Sequence, residues 1–225
     1  MSVSLVFGLP RSGKSTFLVW CARRALQKKP LTLGFGLWKS ELGQFAPYDR
    51  VYCNFPCPGT YELKFDDLGV QQFENCLIII DEIMLLCDSR DWKNYSAHLR
   101  DFMALHGHYK VDIIAASQCY SDCDVRIRNL AERLLFVERK GNHSRISPIV
   151  KGWAVDTKIT ESYKLAPPIA CRYLNRKPLY KFFDSFAAPR LLENTAALWS
   201  LYEPPLTIRQ KISRLFRWHL LHKPD

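Results

Sequence analysis

The rhythm of apolar positions changes several times along this chain, and each rhythm predicts an element. Ser4 to Phe7 reads as a short buried strand, followed by a Gly-containing turn and a helix from Ser15 to about Lys29 that Pro30 stops. Leu31 to Gly36 and Val51 to Asn54 read as strands separated by a loop bearing Gly, Ser and Pro. The β-branched run Cys76 to Ile80 has no polar alternation, which is the pattern of a central parallel strand buried on both faces, and it stops abruptly at Asp81. From Asp91 to His108 the period lengthens: Trp92, Tyr95, Leu99, Phe102, Met103 and His106 recur at three- and four-residue spacing and mark one face of a helix. Val111 to Ala116 predicts another strand and Val125 to Ala131 a short helix. Leu134 to Glu138 and Ile146 to Val155 predict a hairpin closed by Lys140-Gly141-Asn142.

Strands alternating with helices imply an α/β fold, a three-layer sandwich whose mainly parallel central sheet is covered on both faces. Beyond about residue 160 the rhythm breaks: Pro167, Pro168, Pro178, Pro189, Pro204 and Pro205 punctuate short segments. The expected organisation is therefore a domain over 1–158 and a small helical C-terminal appendage over 159–225. Within the latter, Ile208, Ile212, Leu215, Phe216 and Leu220 share one helical face while Arg209, Lys211, Arg214 and Arg217 cover much of the rest. Such a helix suits peripheral contact with an anionic membrane surface or docking on the domain or a neighbouring subunit.

Composition narrows the classes. A chain of 225 residues with 48% hydrophobic and 24% charged residues supports a real core. No stretch approaches the roughly 18 uninterrupted apolar residues of a membrane-spanning helix. Met1 to Phe7 lack the basic region, long apolar stretch and cleavage site of a secretory signal, so the expected location is the cytoplasm. The 8 cysteines are spread through hydrophobic segments, as reduced thiols are, and the spacings Cys53-x3-Cys57 and Cys119-x3-Cys123 are looser than usual zinc pairs. Lys plus Arg outnumber Asp plus Glu by 32 to 22, and the formal charge of +10 favours polyanionic partners such as nucleic acid.

The densest chemistry is Gly8-Leu9-Pro10-Arg11-Ser12-Gly13-Lys14-Ser15, with Thr16 following, a complete G-x-x-x-x-G-K-[ST] between an expected strand and an expected helix. Phosphate oxygens need several donors converging on a small volume; such a loop turns successive N–H groups inward, and the helix start adds its positive end. Gly8 through Thr16 are therefore the nucleotide-binding candidates, with Lys14 on the β- and γ-phosphates of ATP and Ser15 as a ligand of Mg²⁺. Asp81 ends a strand at the same sheet edge and can reach the metal. Glu82, one residue on, can polarise a water for attack on the γ-phosphate. Gln118, just past the strand Val111 to Ala116, can hydrogen-bond that water or the γ-phosphate. Arg126, Arg128 and Arg133 follow, with Arg139 and Lys140 ending the next strand; one such Arg could stabilise charge on the transferring phosphoryl group, often across a subunit interface, or the arginines could form a salt-bridged helix face with Asp122, Asp124 and Glu132.

The order of these motifs resembles the zonula occludens toxin-like family, which includes the assembly ATPases of filamentous phages and is similar to the wider set of DNA-pumping P-loop ATPases. The resemblance rests on Gly8 to Ser15, Ile80-Asp81-Glu82, His106-Gly107-His108-Tyr109, Asp112-Ile113-Ile114 leading to Ser117-Gln118, and Asp124-x-x-Ile127-Arg128, over residues 3–140. It implies nucleotide, metal, water-activating and sensing roles for Lys14, Ser15, Asp81, Glu82 and Gln118, and an intersubunit role for Arg128 in a homo-oligomeric ring. It further implies a motor that powers virion assembly, genome export or DNA packaging, with phage or membrane assembly proteins as partners. Family members usually continue into a transmembrane helix and an extracytoplasmic domain, and here the C-terminal helix would take the place of that anchor at the inner face of the host membrane. Two other readings compete. In a small-molecule phosphotransferase the arginines would form a phosphate-clamping lid, and a non-catalytic nucleotide-binding assembly factor would lack Glu82 or Gln118. Both residues are present and both are placed to orient water, which a kinase must exclude.

Overall fold

The computed structural model describes residues 2–85, 97–121, 123, 125–155 and 159–183. Strand β1 (Ser2–Phe7) leads through the glycine-bearing loop into helix α1 (Lys14–Leu26). A small hairpin of β2 (Thr32–Leu33) and β3 (Ser40–Glu41) follows, then β4 (Arg50–Cys53), β5 (Tyr61–Glu62) and β6 (Cys76–Ile80). Helix α2 (Ala97–Leu105), β7 (Val111–Ser117), α3 (Val125–Leu130) and the long pair β8 (Ala131–Lys140) and β9 (His143–Val155) come next. Strands β10 (Ile159–Leu165) and β11 (Arg172–Asn175) and a 3-10 turn at Lys177–Phe182 complete the described chain.

The nine-stranded main sheet runs β10-β9-β8-β1-β7-β6-β4-β5, with β11 also paired to β9. From β8 through β5 all neighbours are parallel, whereas β9 is antiparallel to β8, β10 and β11. Parallel strands need crossovers on both faces, and this explains the unalternating apolar runs. Leu77 and Ile79 of β6 pack with Val6, Ile114 and the α1 residues Phe17, Leu18 and Cys21. The intervening Cys76, Ile78 and Ile80 pack on the opposite face with Leu5, Ile113, Phe102 of α2 and Ile127 of α3. Each strand thus feeds two cores, and the three-layer α/β architecture with a mainly parallel sheet is as expected.

Local departures from expectation have local causes. Helix α1 ends at Leu26 rather than near Lys29 because Lys28 takes a left-handed conformation (φ 53). The Lys28 N–H then donates to Ala25 O and the Lys29 N–H to Arg24 O, the double closure in which Gly is usual. The strand expected over 31–36 shrinks to Thr32–Leu33, because Gly34 and Gly36 both have positive φ and turn the chain back through a 3-10 turn. Residues 86–96, which carry the first part of the helix expected from Asp91, lie outside the described residues, as do 184–225 with the expected C-terminal amphipathic helix. The expected boundary after residue 158 falls inside the sheet. Strand β10 covers Ile149 to Val155 of β9 and β11 covers His143 to Ile146, and Pro148 falls in the gap between these two partners, where its missing N–H costs no ladder bond. Leu174 and Phe183 then enter the same core as α1.

Candidate functional site

The phosphate loop leaves β1 in the middle of the sheet, so it opens at the edge where β6, β7 and β8 also end. Backbone geometry makes two of its positions Gly-only. A Cβ on Gly8 would overlap the Val137 carbonyl of β8. One on Gly13, where φ is 102, would overlap Ser144 Oγ of β9. Ser144 in turn donates to Ser12 O over 2.9 Å, tying the loop to a strand 132 residues away in sequence. Gly13 caps α1, and the first turn of that helix holds no acidic residue, which leaves its positive end uncompensated and open to an anion.

Within this frame Lys14 is buried and curls over its own loop, donating from Nζ to Gly8 O at 2.9 Å and to Leu9 O at 3.4 Å. The Ser15 hydroxyl donates to Asp81 Oδ2 at 2.5 Å, so a hydroxyl from the start of α1 and a carboxylate from the end of β6 converge on one point. Asp81 is braced from behind by Asn54, at the end of β4. The Asp81 N–H donates to Asn54 Oδ1 at 2.7 Å, and Asn54 Nδ2 returns a bond to Asp81 O at 2.8 Å. Glu82 adopts a left-handed backbone (φ 56), uncommon for a residue with a side chain, and Gln118 Nε2 donates to its Oε1 at 3.3 Å. The second carboxylate oxygen of Glu82 is buried with no hydrogen-bond partner among the described residues. Burial lifts both carboxyl groups above the ordinary carboxylate range. For Asp81 the Ser15 hydroxyl and the Lys14 ammonium oppose the shift, while for Glu82 the neighbouring Asp81 charge adds to it.

Lys14, Ser15, Glu82 and Gln118 open on one cavity of 560 Å³, lined also by Pro10, Arg11, Gly13, Thr16, Arg139, Arg176, Tyr180 and Phe183, and Asp81 joins it through its contact with Ser15. Leu9 and Ser12 face a smaller adjoining cavity beside Phe136 and Arg139. Of the residues singled out in the sequence, the loop, the acid pair and Gln118 are therefore brought together. Arg128 is not among the cavity's lining residues: its guanidinium stacks 4.8 Å from the Tyr120 ring centroid, with Nε lacking a partner among the described residues. Asn54, Ser144, Arg176, Tyr180 and Phe183 were not singled out. Asn54 carried a usable signal, being a polar residue at the end of an apolar strand, as Gln118 is. The others reach the site only because β9 and β11 return to this edge. Among the described residues no cluster of three His, Cys, Asp or Glu side chains is placed to hold a metal ion, and no helix is long and apolar enough to cross a membrane.

The sequence matches the family Zonular occludens toxin (Zot) over residues 60–170, a span that holds Asp81, Glu82, Gln118 and Arg128 and begins after the phosphate loop. No curated protein matches it. Among solved structures, the N-terminal domain of zonular occludens toxin from Neisseria meningitidis is similar with a TM-score of 0.52 at 18% identity, covering 81% of this chain and 98% of that one. The genome packaging NTPase B204 from Sulfolobus turreted icosahedral virus 2, solved in complex with ATP-gammaS, has a TM-score of 0.41 at 11% identity, covering 75% of this chain and 98% of that one. At such identities the likeness concerns the fold. Over residues 60–170 the chain is similar to the Zonular occludens toxin family, and its fold is similar to that of the N-terminal domain of the Neisseria meningitidis toxin.

Proposed function

We propose that this protein is an Mg²⁺-dependent ATPase, a motor for virion assembly, genome export or DNA packaging in a phage or mobile element. The observation that carries this reading is the convergence of a phosphate loop, the Ser15–Asp81 contact and the Glu82–Gln118 pair on one cavity. The loop N–H groups and the start of α1 would receive the phosphates, and Lys14 would exchange its two loop carbonyls for β- and γ-phosphate oxygens. The residues fit a magnesium ion. Ser15 and Asp81 offer hard oxygen donors already in contact, and Asp81 is a part-buried carboxylate whose charge, among the described residues, is balanced by Lys14 and hydrogen bonds. The ion would supply neutralisation of phosphate charge. Glu82, which lines the cavity beside Gln118, would accept a proton from the attacking water, while the Gln118 amide orients its carboxylate.

The absence of Arg128 from the cavity lining agrees with its acting on a neighbouring subunit's nucleotide in a ring, the role the family resemblance suggests. The net charge of +10 supports nucleic acid as the partner on which hydrolysis works. The match to the Zonular occludens toxin family over residues 60–170 agrees with the phage-linked role that the family resemblance suggests. Measuring phosphate release from ATP with and without single- and double-stranded DNA, and with added nucleosides, tests the reading. Release that DNA stimulates supports the motor. Phosphate transfer to a nucleoside would replace it with a kinase, and ATP binding without release would leave a non-catalytic assembly factor.

A further inference from the structure

The two ends of the cavity differ in chemistry. Glu82 and Gln118 stand at the ends of β6 and β7, on one side of the phosphate loop, whereas Arg176, Tyr180 and Phe183 follow β11 and lie on the other side, beyond β8. A γ-phosphate held where Glu82 and Gln118 can direct water therefore sends the sugar and base towards the strap formed by residues 176–183. That strap is anchored: Arg23 of α1 sits 4.2 Å over the Phe182 ring, and Leu179 and Phe182 pack against the core. Its Tyr180 ring is half-exposed (49%), while Phe183 is buried behind it, with ring centroids 6.4 Å apart.

Arg176 is the second observation. It is 6% exposed, its Nη2 donates to Gly141 O at 2.5 Å in the β8–β9 turn, and its Cδ lies 3.1 Å from where a Cβ on Gly13 would sit. Among the described residues its Nε has no partner and no carboxylate pairs with it. A buried guanidinium without a counter-ion is costly unless an anion arrives, and this one lies against the phosphate loop.

We infer that the strap is the base-and-sugar half of the nucleotide site: Tyr180 stacks on the nucleobase, and the Arg176 guanidinium neutralises the phosphate nearest the sugar. This rests on the nucleotide-binding reading above and extends it to a segment that the sequence marks only by its prolines. Competition binding of ATP and of inorganic tripolyphosphate to the full chain, with Mg²⁺ present, separates the two halves. ATP binds about tenfold more tightly than tripolyphosphate, as expected for one base stacked on an aromatic ring. Tyr180→Ala removes most of that preference by weakening ATP alone, Tyr180→Phe retains it, and Arg176→Lys weakens both probes, because tripolyphosphate lacks the base and sugar but keeps the phosphates. An unchanged ATP affinity in Tyr180→Ala, or equal weakening of both probes, overturns the inference. An unsubstituted chain that binds neither probe overturns instead the nucleotide-binding reading on which it rests.

Discussion

Asn54 touches no expected ligand, yet both ends of its amide hold the backbone of Asp81. If the acid pair must be aimed before chemistry, Asn54→Ala should lower kcat by tenfold or more while the affinity for ATP changes little. Losing two part-buried hydrogen bonds should also cost about 1–3 kcal/mol in urea denaturation; an unchanged kcat beside a normal stability loss would reduce Asn54 to a structural role. Gly13→Ala is the harsher change at this scale. It asks a residue with a side chain to adopt φ 102, which costs about 1–2 kcal/mol, and drives the new methyl into Ser144 Oγ. Nucleotide binding should fall below detection by titration calorimetry, and Ser144→Ala in the same background should restore part of it by removing the clash. The phosphate loop and the acid pair were legible in the sequence because their spacing is itself the mechanism: backbone amides and a following helix need those glycines. Asn54 and Arg176 were not, because their roles depend on which strand ends meet across the sheet, and pairing order is not written locally.

At the scale of elements, the apolar runs of β6 and β7 could be read because burial on both faces removes polar alternation, and Cys76–Ile80 matches its expected bounds. Strands β5 and β11 could not. Two or four residues carry too little period to register, and their pairing is set by β4 and β9. Helix α2 ends beside His106, which is fully buried, with Nδ1 2.7 Å from Met103 O and no partner for Nε2 among the described residues. Burial holds its pKa below the ordinary 6.5, against the opposing pull of the Met103 bond and the Asp112 and Glu132 charges. The unfolded imidazole therefore takes up a proton near pH 6.5, while the folded one resists until the pH is lower. The contribution is complete above that pH and is lost as pH falls through the folded value. Denaturation midpoints at pH 7.5 and 5.5 should show a smaller acid loss in His106→Gln than in the unsubstituted protein; equal losses would mean that His106 protonates without strain.

For the molecule as a whole, the proposed ring would divide one nucleotide site between two chains. Arg128 rests on Tyr120 rather than lining the cavity, so a trans role makes a specific demand on mixtures. Arg128→Ala and Lys14→Ala chains, each inactive alone, should regain hydrolysis when co-assembled, since each supplies what the other lacks. Mixed assemblies that stay inactive would confine the site to one subunit. The Pro-punctuated segment expected as an appendage is, through residue 183, part of the sheet and of the cavity wall, because β10 and β11 complete the outer edge of β9. Its prolines were visible in the sequence but its return to the site was not, because the strands that carry it back pair with a partner only three-dimensional order selects. If Glu82 activates water at a competent nucleotide site, single-turnover hydrolysis of bound ATP by the Glu82→Gln chain, with ATP affinity measured on the same preparation, reads that role alone. Affinity should stay within about threefold of the unsubstituted protein while cleavage slows by about 10²–10⁴-fold, the usual worth of a general base. Undiminished cleavage at normal affinity would contradict that role.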